Sequence, residues 1–96
     1  MTEGKLSQKE AEEKLKTLSE WEIKDEKISK VFIFADFVEA MKFVNAVAEL
    51  AEKSDHHPDI LINYKKVTLT LWTHSAGGLT EKDFSLAEKI NKLSSQ

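Results

Sequence analysis

The stretch ILINYKKVTLTL, residues 60–71, decides the fold. Apolar and polar side chains alternate in both of its halves, and two lysines stand between them. The apolar sets are Ile60, Ile62 and Tyr64 in the first half and Val67, Leu69 and Leu71 in the second. Alternation with a period of two is typical of half-buried strands, because successive side chains point to opposite faces of a sheet. We therefore predict a β-hairpin that turns at Lys65-Lys66.

An earlier segment has the same periodicity. It begins at residues 21–23, turns at residues 25–27 and returns toward Phe34, with Ile28, Phe32 and Phe34 on one face. Strands joined by so short a turn are antiparallel. This segment is predicted to be a second hairpin.

Capping signals mark the starts of three helices. The capping-box spacing of three residues occurs at Ser7 with Glu10, at Asp36 with Glu39, and at Thr80 with Asp83. Such side chains accept hydrogen bonds from amides that a helix's first turn leaves unpaired. The element order is then α-β-β-α-β-β-α. It predicts an α+β domain, a four-stranded antiparallel sheet with three helices on one face.

The second helix carries more apolar surface than one sheet needs. Its first stripe comprises Phe37, Ala40, Met41, Val44, Val47, Ala48 and Ala51. A second row contains Phe43, Ala46 and Leu50, which suits either a helix sunk deep in its own core or a subunit contact. Because a 96-residue domain has little interior to spare, and an open sheet leaves edges that can pair, we predict a homodimer or homotetramer.

Composition narrows the classes of function. Residues 1–96 suit a single domain, and no stretch is long and apolar enough to cross a membrane. The net charge is −3 and the bases are spread along the chain, so direct nucleic-acid binding is not expected. Cysteine is absent, which excludes disulfides and thiol catalysis. Residues 1–5 lack the apolar segment of a signal peptide, and a cytoplasmic protein is therefore expected.

All three histidines lie at one end of the second hairpin. His56 and His57 precede its first strand, and His74 follows its second. With the apolar faces aligned, a turn of two residues places His74 opposite His57, and a turn of four places it opposite Asp55. Either register brings His74 near the histidine pair. Imidazole, with a reference pKa of about 6.5, suits proton transfer near neutrality.

Other readings of this region stay open. Two histidines with Asp55 or Asp59 could form a metal site, but Pro58 favours an extended His57 and separates the adjacent side chains. Trp72 suits either the wall of a pocket for a flat heterocycle or packing against the sheet. The small residues 75–78 suit either close approach of a ligand or an ordinary turn. Asp83 suits a helix cap better than a catalytic role.

These residues resemble the signature of the pterin-4a-carbinolamine dehydratase family. The signature reads Glu52, His56-His57-Pro58, Tyr64, His74 and Asp83, separated by three, five, nine and eight residues. Trp21, the strand around Phe32–Phe34 and Asp36-Phe37 also resemble the family. The resemblance therefore covers nearly the whole chain.

The resemblance implies a hydro-lyase that converts 4a-hydroxytetrahydropterin, the 4a-carbinolamine, to quinonoid dihydropterin. That reaction recycles the tetrahydropterin of aromatic amino acid hydroxylases and uses no cofactor or metal. By resemblance, His56 and His74 act as acid and base, and His57 mainly holds the substrate. The implied pterin contacts are His56, His57, Pro58, Thr73, His74, Ser75 and Ala76. Because animal relatives also serve as transcriptional coactivators, a non-enzymatic dimerisation or protein-binding module is the alternative.

Overall fold

The computed structural model describes residues 4–94, which form three α-helices and four strands. In chain order these are α1 (Gln8–Leu15), β1 (Glu22–Lys24), β2 (Lys27–Ile33), α2 (Phe37–Ser54), β3 (Asp59–Asn63), β4 (Lys66–Leu71) and α3 (Glu81–Ser94). The predicted order is confirmed. The single-domain prediction also includes residues 1–3 and 95–96, which lie outside the described residues. None of the helices formed by residues 4–94 combines the length and apolar character of a membrane span.

The sheet is antiparallel throughout, in the order β1-β2-β4-β3. Its inner face is built by cross-strand pairs such as Ile28 with Leu71 and Ile62 with Val67. Ile28, Val67 and Leu71 are fully buried, as the alternation predicted. The first hairpin turns at Asp25-Glu26, and both residues have positive φ, a geometry that matches the twist of the flanking strands.

The second hairpin turns one residue earlier than predicted. Asn63 pairs with Lys66, so the turn residues are Tyr64 and Lys65, and Lys66 begins β4. Tyr64 adopts φ 53°, a left-handed conformation that usually calls for glycine or asparagine. The realised register is the one that places His74 opposite Asp55 when the ladder is extended.

The helix caps agree with the sequence signals. Ser7 accepts from the Glu10 amide while the Glu10 carboxylate accepts from the Ser7 amide, a complete capping box. Asp36 accepts from the Glu39 amide at 2.9 Å. Asp83 accepts from the Thr80 amide at 2.9 Å, which holds the start of α3.

Of the second row on α2, Phe43 packs in the protein's own core, the first of the two interpretations, and the subunit-contact interpretation does not apply to it. Its side chain is 7% exposed, and its ring centroid lies 4.7 Å from Phe32 and 4.9 Å from Phe34. The apolar face of α2 that meets the sheet is wider than the predicted stripe, because a packed helix buries an arc of about 100° or more. Conversely Phe37, the first residue of the helix, is 47% exposed.

Exposed apolar side chains also lie on the outer face of the sheet. Val31 and Leu61 both pair with Thr68 and line up across that face, and Ile33 lies beside them. The helices formed by residues 4–94 pack on the other face, which holds the core. The outer face therefore adds to the apolar surface that could meet another chain.

Candidate functional site

A cavity of about 560 Å³ opens where the α2–β3 loop meets the end of β4. Its walls are formed by Asp55, His56, His57, Pro58, Asp59, Trp72, Thr73, His74, Ser75 and Lys82. The structure thus brings all three histidines to one place. Ala76, another predicted pterin contact, is not among these lining residues. It ends a short 3-10 turn, His74–Ala76, and donates its amide to the Thr73 carbonyl.

The end of α2 separates the two adjacent histidines. Asp55 is in the left-handed conformation, and the His56 amide bonds back to the Ala51 carbonyl at 3.1 Å. This closure ends the helix, and Pro58 then leads the chain into β3. The His56 side chain is 11% exposed and the His57 side chain 57%, so the two imidazoles occupy different surroundings.

His56 is held by a buried carboxylate. Its Nε2 lies 2.5 Å from Oδ1 of Asp83, which is fully buried. The second oxygen of Asp83 accepts from the Thr73 hydroxyl and the Thr80 amide, both at 2.9 Å. Asp83 therefore caps α3, as its spacing indicated, and also binds a histidine. The spacing alone accounted for the cap, and only its place in the family signature pointed to the second role.

His57 is held by an exposed carboxylate. Its Nε2 lies 2.6 Å from Oε2 of Glu52, which is in the last turn of α2. Both side chains are solvent-accessible, so screening weakens the attraction between them. The contact orients the ring without removing it from water, which suits a residue that meets a ligand at the mouth of the cavity.

His74 is held by stacking. Its ring centroid lies 3.8 Å from that of Trp72, and Lys27 Nζ lies 4.6 Å from the centre of the Trp72 ring. Neither imidazole nitrogen of His74 has a hydrogen-bond partner within residues 4–94. Trp72 therefore lines the cavity and supports His74, while both nitrogens of that ring are left for a ligand.

The glycine-containing loop after His74 is accounted for by its backbone. Thr73 and Gly78 form an isolated antiparallel bridge, with the Thr73 amide 2.9 Å from the Gly78 carbonyl. Gly77 has φ 71°, which favours glycine. A Cβ at Gly78 would lie 2.8 Å from Lys5 Cε. The turn itself therefore calls for glycine at Gly77, whereas the side chains near Gly78 are flexible.

The metal alternative finds no matching geometry. Within the described residues, no group of three His, Asp or Glu side chains is placed to hold one ion. His56 and His57 are directed to different carboxylates, so the site of two histidines with Asp55 or Asp59 is not formed there. The cavity is lined by three imidazoles, and each contacts a different side chain. Imidazoles placed in this way are suited to proton transfer.

The sequence matches a known protein family. The profile described as pterin 4 alpha carbinolamine dehydratase matches residues 4–93. The chain belongs to this family. A dehydratase-family chain from Acidobacterium capsulatum, provisionally named pterin-4-alpha-carbinolamine dehydratase, is 53% identical over 90 residues, covering 94% of this chain and 98% of its own. A chain of the same provisional name from Sulfolobus acidocaldarius is 44% identical over 89 residues, covering 93% and 98%.

Two solved structures of related proteins share the fold. A protein from Brucella melitensis, described as a transcriptional coactivator/pterin dehydratase, superposes with a TM-score of 0.91 at 40% identity, covering 95% of this chain and 99% of its own. A pterin dehydratase-like protein, described as a RuBisCO assembly factor in the alpha-carboxysome, has a TM-score of 0.64 at 27% identity, covering 77% and 86%. The pterin dehydratase fold is thus found in proteins with different described roles.

Proposed function

We propose that this protein catalyses the dehydration of 4a-hydroxytetrahydropterin to quinonoid dihydropterin, with His56 and His74 transferring protons and His57 holding the substrate. The observation that carries the proposal is the convergence of the three histidines on one cavity in a member of the dehydratase family. It is a hydro-lyase reaction, and it regenerates a tetrahydropterin precursor without a cofactor.

The reaction needs one proton donor and one proton acceptor. The bond between C4a and its oxygen breaks, and a double bond forms between C4a and N5. The departing oxygen takes a proton from an acid and leaves as water, while a base removes the proton on N5. One protonated and one neutral imidazole balance these two transfers. Positioned acids and bases typically contribute about 10²–10⁴-fold in rate.

The remaining cavity residues suit a flat, polar heterocycle. A volume of about 560 Å³ lies within the usual range for small-molecule pockets, about 300–1,000 Å³. Pro58 and Ser75 line it beside the histidines. The Thr73 side chain is buried against Asp83, so its contribution to binding would come from its main chain. Ala76 would contribute in the same way, through its backbone.

Turnover by histidine variants tests the proposal. His56→Ala and His74→Ala should each lower kcat, and the double variant should bring turnover close to the uncatalysed rate. Both C4a stereoisomers should be assayed, because the two histidines could serve opposite faces. Glu88→Gln, an exposed change on α3, is the control and should keep the normal rate. A folded double variant with normal turnover of both isomers would show the assignment to be wrong.

EDTA treatment provides an independent check. Because every step of the proposed reaction is a proton transfer or a bond change within the pterin, activity should persist after chelation. Loss of activity in EDTA, with recovery on adding a divalent metal, would contradict the metal-free mechanism.

A protein-binding role is the second candidate. It is favoured by the exposed apolar residues Val31, Ile33 and Leu61 and by the coactivator and assembly-factor roles described for the two structural relatives. If the protein did not turn over a synthetic carbinolamine and captured a defined helical partner, the protein-binding role would be favoured.

We also propose that the chain acts in the cytoplasm as a homodimer or homotetramer.

A further inference from the structure

The hydrogen bonds that support His56 form a chain in which each hydroxyl donates toward Asp83. The Thr73 hydroxyl lies 2.9 Å from Asp83 Oδ2 and 2.8 Å from the Thr80 hydroxyl. A hydroxyl has a single proton to donate. Since Thr73 gives its proton to Asp83, Thr80 must give its own to Thr73. The Lys82 amide donates to the Thr80 oxygen at 3.3 Å, so the chain of donors ends at Asp83.

This direction defines what Asp83 offers to His56. Oδ2 accepts from both the Thr73 hydroxyl and the Thr80 amide, and two donors on one oxygen stabilise a negatively charged carboxylate. Oδ1 is then an acceptor as well. The imidazole nitrogen 2.5 Å away, Nε2 of His56, must therefore carry a hydrogen, because two acceptors cannot share a bond.

We infer that His56 exchanges its proton with substrate through Nδ1, and that Thr73 and Thr80 are positioning residues that fix this choice. Nδ1 has no hydrogen-bond partner within residues 4–94, and the ring forms part of the cavity wall. The assignment of a proton-transfer atom rests on the function proposed above. The tautomer of His56 does not, since it follows from the hydrogen bonds alone.

Thr73 is then a positioning residue rather than a side chain that contacts the substrate. The family resemblance makes it a substrate contact, which would affect substrate affinity. Its hydroxyl is instead buried between Asp83 and Thr80. A residue that acts through Asp83 on His56 should affect kcat, because it sets the state of the proton-transfer group rather than a contact with bound pterin.

The wild-type protein supplies the first test. With ¹⁵N-labelled histidine and the His56 signals assigned from a His56→Gln spectrum, the neutral ring should carry its hydrogen on Nε2. Nδ1 should show the chemical shift of a nitrogen without a hydrogen. A neutral His56 that carries its hydrogen on Nδ1 would overturn the inference, whether or not the protein turns over a pterin.

Variants of Thr73 supply the second test. Thr73→Val removes the donor to Asp83 at nearly constant volume and should lower kcat about 10-fold while KM changes less than about 2-fold. It should also weaken the preference for a protonated Nε2. Thr73→Ser keeps the hydroxyl and should restore both readouts. Thr68→Val, on the outer face of β4, is the matched control and should change neither.

The tautomer of His56 and the value of kcat together distinguish failure of this inference from failure of the proposed dehydratase function. An unchanged tautomer and unchanged kcat in Thr73→Val would overturn the inference while leaving the dehydratase proposal intact. A KM increase without a kcat change would assign Thr73 to substrate binding and also overturn it. If the wild type is inactive yet shows the expected tautomer, the proposed function fails and the hydrogen-bond assignment stands. Should Thr73→Val not fold, the wild-type ¹⁵N spectrum still decides which nitrogen of His56 carries the hydrogen.

Discussion

The imidazole of His74 lies on the indole of Trp72, with ring centroids 3.8 Å apart and planes inclined by 37°. The other two histidines are oriented by carboxylates, whereas this one is oriented by an aromatic surface. Stacking restricts the ring's tilt but leaves both nitrogens open. His74 can therefore present either nitrogen to a ligand, and its placement depends on a residue outside the family signature.

Replacing Trp72 should test that support. Trp72→Ala is expected to lower kcat about 10-fold, because a proton-transfer group that is free to rotate spends less time in the productive geometry. Trp72→Phe preserves an aromatic surface and should stay within about 3-fold of the wild type. Phe37→Ala, an exposed aromatic change at the start of α2, should have no effect. Full activity in Trp72→Ala would contradict a positioning role.

The pair of His57 and Glu52 should affect binding rather than the chemical step. His57→Ala is expected to raise KM about 10-fold with kcat within about 2-fold, since it removes contacts made equally in the ground and transition states. Glu52→Gln should have a smaller effect of the same kind. Glu49→Gln, an exposed change on the same helix, serves as control. Steady-state kinetics that showed a large fall in kcat at unchanged KM would place His57 in the chemistry instead.

Asp83 should contribute to stability as well as to the site. Asp83→Ala leaves the Thr73 hydroxyl, the Thr80 amide and His56 Nε2 without their buried acceptor, and should lower the free energy of unfolding by about 2–5 kcal/mol. Urea denaturation followed by circular dichroism measures this loss. Asp59→Ala, at an exposed position on the edge strand, should stay within about 0.5 kcal/mol. Equal effects of the two changes would contradict the buried network.

Phe43 should behave as a core residue. Truncation to alanine opens a cavity beside Phe32 and Phe34 and should cost about 3–5 kcal/mol in urea denaturation. Phe37→Ala should cost less than about 1 kcal/mol, since that ring is half exposed. Phe43→Glu should unfold the chain, because it buries a charge without a partner. A folded Phe43→Glu protein of lower mass would favour the subunit-contact interpretation of Phe43.

The assembly state should be visible by light scattering. A homodimer or homotetramer has two or four times the protomer mass of 10.9 kDa. Leu50→Glu tests contact through α2, and Leu61→Glu tests contact through the outer face of the sheet. Whichever face forms the contact, its variant should lower the measured mass while keeping the circular dichroism spectrum. A clean mass of one protomer for the wild type would contradict assembly at micromolar concentration.

The features that could be predicted are those set by local periodicity. Alternation in β4 identified Val67, Leu69 and Leu71 as inward-facing, and all three are fully buried. The spacing of Ser7 and Glu10 identified the start of α1, because both bonds of a capping box form within one turn. Local signals of this kind do not depend on how distant parts of the chain meet.

The misplaced features depend on tertiary packing or on rare backbone conformations. The turn at Tyr64 was displaced by one residue because tyrosine gives no sign of positive φ. Whether Phe43 lies in the core or in a subunit contact was left open, because periodicity does not define how much of a helix the sheet covers. The contact between His56 and Asp83 spans 27 residues, and the cap alone was enough to explain Asp83. The stacking of Trp72 on His74 depends on how the chain turns after β4.

The origin of the site in three separate segments has a consequence for folding. The segment before β3 supplies His56, the segment after β4 supplies His74, and the first turn of α3 supplies Asp83. The β3–β4 hairpin brings His56 and His74 together, but His56 gains its carboxylate partner only when α3 packs against that hairpin, so the complete site forms with the cooperative transition. A partly folded chain that retains only this hairpin lacks the support of Asp83 for His56. Catalytic activity should therefore disappear at the same denaturant concentration as helical structure.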